Sequence, residues 1–234
     1  MLKYETIAQQ INDYIINGQF KAGDKLPNVT TLKESYNVSK STIIKALEVL
    51  EHDGVIYQAQ GSGIYVRNTK DDNYINVFKS NGFSKSLSEH QITSKVLELK
   101  EVNDPPQAVI NELKLEDHEV VYYLKRLRYV DHDILCIEES YYNKQVVKYL
   151  NNEIVEGSIF NYLENDMNIR VGFSDIYFNV DKLQRDEAQL LQLVEADPCL
   201  RYHQTFYTTT GIPFDSSDIT FHYQHSHFFI PSKK

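Results

Sequence analysis

The chain has few of the features that mark secreted, membrane-spanning or metal-clustered proteins. Its two cysteines, Cys136 and Cys199, lie far apart without metal-ligand spacing, so they read as small buried residues in a reducing compartment. No apolar run approaches the length needed to span a bilayer. The opening Met1-Leu2-Lys3-Tyr4-Glu5 lacks the apolar stretch of a signal peptide, so the cytoplasm is the expected location. There is no internal repeat, low-complexity tract, Gly-rich phosphate loop, nucleophile elbow or Cys–His pair. Basic residues are also scarce, 24 against 33 acidic, for a net charge of −9. Broad affinity for nucleic acid comes from phosphate neutralisation, and such a balance argues against it.

The 234 residues are 41% hydrophobic and 24% charged, enough for one large domain or two ordinary ones with a real core. The charge is unevenly placed. Residues 1–67 carry seven basic and seven acidic side chains, so the whole excess of −9 falls on the remainder. A neutral first module and an acidic second one are expected to have different partners. Residues 68–73, polar and without periodicity, read as the linker, giving modules at 1–67 and 74–234.

In the first module Tyr4, Ile7, Ala8, Ile11, Tyr14 and Ile15 follow helical spacing, and Gly18 is placed to end that helix in the left-handed conformation. A short helix is expected over Thr30–Tyr36, then a tight turn at Asn37-Val38. A third helix is expected from a cap at Ser39 or Ser41 to about Asp53, with Ile43, Ala46, Leu47 and Leu50 inward. Val55-Ile56-Tyr57 and Ile64-Tyr65-Val66, joined by Gln60-Gly61-Ser62-Gly63, form a hairpin with a glycine-rich tip.

Helix, turn, helix and hairpin in this order make a winged helix-turn-helix, whose third helix enters the major groove of double-stranded DNA. Ser39, Lys40, Ser41, Thr42 and Lys45 lie away from the apolar stripe and suit phosphate and base contacts. Lys3, Thr30 and the wing residues Gly61, Ser62 and Gly63 complete the expected DNA-binding set. A three-helix protein-interaction module would explain any one element, but less easily the ordered set. The pieces Gly18–Pro27, Val38–Ile43 with Ala46-Leu47, Leu50–Ile56 and Gly61–Val66 resemble the GntR family of bacterial regulators across the whole module. The chain departs from that family at Asn28 and Val29 after the proline, and at Lys40 and Ile44 where arginines are frequent. Because lysine lacks the bidentate fork of arginine, operator sequence does not transfer from relatives.

Beyond the linker, strands are expected at Thr93–Val102, Val120–Val130, Ile134–Tyr142, Val171–Val180, Leu200–Thr208 and Pro213–Tyr223. Helices are expected at Gln107–Leu113, Lys144–Leu150, Ser158–Asn165 and Arg185–Leu193. The pattern is α+β with a mainly antiparallel sheet. Arg126 and Arg128 are two apart on one strand, so both guanidiniums share a face. If the Asp131–Asp133 turn keeps three residues in the loop, Glu138 falls opposite Arg126 and shares that face with Ser140. Such a group suits a phosphate or carboxylate ligand, or is only a cross-strand ion pair. Ser158 offers either a second anion contact or simply a helix cap.

Asn81–Phe83, Lys125–Tyr129, Cys136–Tyr141, Gly157–Phe160 and Gly211–Asp215 resemble the HutC-type effector domain, also called UTRA, whose fold is similar to chorismate lyase. The resemblance implies a small-molecule effector, commonly a sugar or amino-sugar phosphate. With the residue chemistry it marks Phe83, Arg126, Arg128, Glu138, Ser158, Phe160 and Asp215 as effector-binding, Asp215 standing where related domains often have Glu. His222, His225 and His227, with His203, are the one histidine cluster, and His225 and His227 are expected to share a strand face. No cysteine or carboxylate is spaced to complete a metal site, so interface or solvated histidines are expected, with no metal and no cofactor. The function expected is a homodimeric repressor, with no membrane partner, released from a palindromic operator by a phosphorylated metabolite. The alternatives are an activator, or a chorismate-lyase-like enzyme tethered to DNA, the latter without a recognisable acid–base constellation.

Overall fold

The computed structural model describes residues 2–67, 74–76, 90–116 and 118–231. The chain forms two units, Met1–Lys79 with Phe228–Lys234, and Ser80–His227. Among the described residues no helix is long and apolar enough to cross a membrane.

In the first unit, α1 (Lys3–Asn17), α2 (Val29–Tyr36) and α3 (Lys40–His52) precede a hairpin of β1 (Ile56–Ala59) and β2 (Gly63–Val66). The apolar stripes meet in one core that includes Ile11, Ile15, Leu32, Ile43, Leu47, Ile56 and Val66. Local capping sets each start. Asn28 Oδ1 accepts from Thr31 N at 3.0 Å and Ser39 Oγ from Thr42 N at 3.2 Å, so Ser39 rather than Ser41 is the cap of α3. Asn28, one of the departures from the family pattern, therefore does the work of a capping serine. Gly18 is not left-handed as expected: its φ is −78° and Gln19 takes the left-handed turn at 52°. Glycine is needed there for room, because a Cβ would sit 2.5 Å from the Phe20 ring and 2.8 Å from the Tyr14 carbonyl oxygen.

The end of the chain also belongs to this unit, although the sequence pattern assigned all of 74–234 to the second module. β10 (Phe228–Phe229) pairs in parallel with β3 (Ile75–Asn76). Phe229 and Pro231 pack on Gly54, just past α3, and the Arg67 guanidinium lies 6.0 Å from the Phe229 ring centre. Gly54 has φ +75°, and a Cβ there would be 2.8 Å from Pro231 and 3.0 Å from Phe229. Gly54→Ala is therefore expected to destabilise this unit by about 2 kcal/mol, from left-handed strain and overpacking. Urea unfolding measures it, and an unchanged midpoint would remove the tail from the core of the unit.

The second unit contains β4 (Ile92–Val102), α4 (Gln107–Leu113), β5 (Val121–Val130), β6 (Asp133–Asn143), α5 (Asn152–Glu156), α6 (Ile159–Asn165), β7 (Val171–Lys182), α7 (Arg185–Leu191), β8 (Pro198–Thr208) and β9 (Pro213–His222). The strands form one antiparallel sheet in the order β4-β5-β6-β9-β8-β7. Side chains alternate across it. Tyr122, Leu124, Tyr142 and Phe206 pack under α5 and α6, while Leu127, Ile137 and Cys199 pack under α7. The helix expected over Lys144–Leu150 is absent. Asn143 takes Gln145 N on its side chain and Val147 N on its carbonyl, closing a single turn, and Asn151 then caps α5.

The β5–β6 hairpin departs from expectation in a way that matters for the site. Val130 pairs with Asp133, so the loop has two residues, Asp131 and His132, both with positive φ. That turn alone would place Ile137 opposite Arg126 and send Glu138 to the other face. A bulge between Arg128 and Tyr129 places Leu135 as an extra residue in β6, and Glu138 returns opposite Arg126.

Candidate DNA-binding surface and effector cleft

On α3, Lys40, Ser41, Ile44, Lys45 and Glu48 are exposed, while Ile43, Ala46, Leu47 and Leu50 are buried. The hydroxyls at the helix start bond to one another: Ser39 Oγ is 2.9 Å from Ser41 Oγ and 2.7 Å from Thr42 Oγ1. Lys45 Nζ lies 5.8 Å from the Tyr4 ring centre, drawn toward α1 by a cation–π contact. Lys3, Thr30, Gly61 and Ser62 are exposed, and Gly63 is half-buried beside Lys25. The wing is stiffened by the stacked Tyr57–Tyr65 pair and by a 2.7 Å bond between Ser62 Oγ and Tyr65 Oη.

In the second unit a buried polar group crosses β5, β6 and β9. Arg126 Nη2 donates to Glu138 Oε1 at 2.7 Å, and Arg128 Nη1 donates to Glu138 Oε2 at 3.1 Å. All three side chains are buried. Burial alone would raise the Glu138 carboxyl, but the charges and hydrogen bonds of both arginines outweigh it and hold it below the usual carboxylate range. Arg126 Nη1 also donates to the carbonyls of Val155 and Gly157, fastening the α5–α6 segment to the sheet. Its Nε is buried and has no hydrogen-bond partner among the described residues. From Glu138 the network runs through Ser140 and Ser217, whose hydroxyls are 2.7 Å apart, to Asp215, which accepts from Ser217 at 2.5 Å. Burial pushes the Asp215 carboxyl up to about 8, so it is protonated at neutral pH.

A cleft of about 250 Å³ opens beside this group, lined by His90, Ile92, Ser94, Arg128, Glu156, Gly157 and Ser158. Of the seven expected effector residues, Arg128 and Ser158 line it. Arg126 and Glu138 stand behind Arg128, and Asp215 lies at the far end of the network. Phe160 packs instead on Phe206, ring centres 4.6 Å apart, in the apolar cluster under α6. Phe83 is outside the described residues. Ser158 is the cap of α6, accepting from Asn161 N at 3.3 Å. His90, Ile92, Ser94, Glu156 and Gly157 were not foreseen. Ser94 was in principle traceable, because it stands opposite Arg128 in the β4–β5 register, but that register carries its own bulge between Val96 and Glu98.

The histidine expectation needs correction. β9 ends at His222; His225 sits in the following turn and His227 just beyond it, so the two do not share a strand face. His222 and His225 stack at 3.8 Å, and His225 Nδ1 is bonded to the Ile134 carbonyl. His203 lies elsewhere, between Asp218 at 2.8 Å and Glu112 at 3.2 Å. Among the described residues no group of three or more such ligands is arranged to hold a metal ion.

A winged helix-turn-helix joined to a sheet domain with a polar cleft defines a DNA-binding transcription regulator. Residues 3–66 match the family described as bacterial regulatory proteins, gntR family, and residues 88–227 match the UTRA domain. The chain belongs to the GntR family, with a UTRA domain behind its DNA-binding module. It is 45% identical over 230 residues to the uncharacterized HTH-type transcriptional regulator YydK of Bacillus subtilis, covering 98% of this chain and 97% of that one. The crystal structure of YydK superposes with a TM-score of 0.90 at 41% identity, over 98% of this chain and 100% of that one. The gene product SA0254 of Staphylococcus aureus subsp. aureus N315 is 65% identical, over 68% of this chain and 99% of its own, with a TM-score of 0.66. More distant are the Escherichia coli mannosyl-D-glycerate transport/metabolism system repressor MngR and a probable fructoselysine utilization operon transcriptional repressor. They are 26% and 28% identical over 92% and 94% of this chain, covering 89% and 88% of their own lengths.

Proposed function

We propose that this regulator is a homodimeric repressor that leaves a palindromic operator when a small phosphorylated metabolite, a sugar or amino-sugar phosphate, occupies the cleft. One observation carries the reading: Arg128, which shares the Glu138 carboxylate with Arg126, lines the cleft beside the hydroxyls of Ser94 and Ser158. A guanidinium held in a low-dielectric wall favours an anion, and flanking hydroxyls suit a hydroxylated one. Glu156 in the same wall favours donors, such as sugar hydroxyls or an amine, on the rest of the ligand. Two relatives named as repressors of mannosyl-D-glycerate and fructoselysine systems support repression and a sugar-related signal.

The dimer has its own support. β7 is an edge strand of twelve residues that exposes Phe173, Tyr177, Phe178 and Val180. Such an edge is ordinarily shielded, and pairing with a second copy would cover it. Two winged helices on symmetric half-sites would also offset the modest phosphate affinity of a neutral module.

A gel shift on the gene's own upstream DNA tests the proposal, with sedimentation giving the protein's size. A dimer bound to a palindromic site and released by one of a panel of sugar phosphates is expected. No binding to any palindromic site in that region, or a complex indifferent to every phosphate, would refute it.

A further inference from the structure

The exposed face of α3 carries one residue whose chemistry differs from its neighbours. Positions 41, 44, 45 and 48 follow the three- and four-residue spacing of one helix face. They hold Ser41, Ile44, Lys45 and Glu48, all exposed, opposite the buried Ile43, Ala46, Leu47 and Leu50. Ile44 is 39% exposed at the middle of this otherwise polar stripe. A lone exposed apolar side chain is ordinary on a protein surface and by itself means nothing. Here its neighbours are partly committed elsewhere. Ser41 is bonded to the capping hydroxyl of Ser39, and the Lys45 ammonium is drawn toward the Tyr4 ring on α1. The centre of the face is left to a branched hydrocarbon.

An isoleucine can neither donate nor accept a hydrogen bond, so it cannot distinguish the polar edges of the bases. The one apolar group that the bases present in the major groove is the thymine C5-methyl. We propose that Ile44 is a specificity-determining residue that packs on the C5-methyl of a thymine in each operator half-site. This rests on α3 being the helix that enters the major groove. The contact removes apolar surface of both partners from water, and loss of the methyl is expected to weaken binding about three- to tenfold. The same geometry gives Ile44 no means of reading guanine, for which a bidentate arginine is suited.

The test uses the full-length protein and a random-sequence duplex library, selected with wild type, Ile44→Ala and Ile44→Arg. The position is solvent-exposed and alanine is the better helix former, so Ile44→Ala keeps the fold. The wild-type site is then resynthesised with deoxyuridine replacing each thymine in turn, which deletes only the methyl. One thymine per half-site is expected to show the three- to tenfold loss with wild type and none with Ile44→Ala. Ile44→Arg is expected to select guanine at that position or its partner base. If every deoxyuridine is tolerated by wild type, or Ile44→Ala loses as much from the same deoxyuridine, the proposal is overturned while DNA recognition stands. If wild type enriches no sequence, recognition of DNA by α3 fails, and this assignment fails with it.

Discussion

Arg126→Ala is expected to destabilise the second unit by about 3–5 kcal/mol, because it leaves the buried Glu138 carboxylate with half of its charge partners. It also frees the Val155 and Gly157 carbonyls that Arg126 ties to the sheet. Arg128→Ala is expected to cost less, since Arg126 still bonds Glu138 at 2.7 Å. The two differ in the other direction in ligand response. Arg128 lines the cleft and Arg126 does not, so Arg128→Ala should abolish the thermal shift given by an effective sugar phosphate. Urea unfolding and a thermal-shift panel on both variants separate the roles. A native-like midpoint for Arg126→Ala, or a preserved shift for Arg128→Ala, would reverse the assignment.

Asp215→Asn is expected to flatten the fall in stability between about pH 4 and pH 8. Asp215 is 1% exposed, and burial raises its carboxyl to about 8, whereas an unfolded aspartate ionises near 3.9. Between those values the folded protein holds a proton that the unfolded chain releases. The stability linked to this group is therefore complete at low pH and lost as pH rises toward 8. Asparagine mimics the protonated carboxyl and should remove that loss, on the order of 3–5 kcal/mol near pH 9. Glu138 behaves oppositely: its carboxyl is depressed, so its contribution is lost as pH falls. Denaturation midpoints from pH 5 to 9 decide the matter. Parallel profiles for wild type and Asp215→Asn would show that Asp215 is already ionised in the fold.

What the sequence determined about this protein had a short physical reach. Helical spacing named the buried faces of α1 and α3, a serine before an apolar period marked the start of α3, and alternation placed Arg126 and Arg128 on one face. These follow from neighbours within a few residues, so no fold is needed to see them. The tertiary structure alone decided which strands meet, and in what register. The Arg126–Glu138 pair was expected from a three-residue loop, but it arises from a two-residue turn corrected by a bulge at Leu135. No local rule distinguishes the two, because both need only one extra residue somewhere in the hairpin. The division of labour within the arginine pair was likewise invisible. It depends on the α5–α6 segment crossing above β5, which gives Arg126 to the backbone and Arg128 to the cleft. The last residues carry too short an apolar pattern to announce a strand, and their place against Gly54 is fixed only by the packing of a unit begun 170 residues or more earlier in the chain.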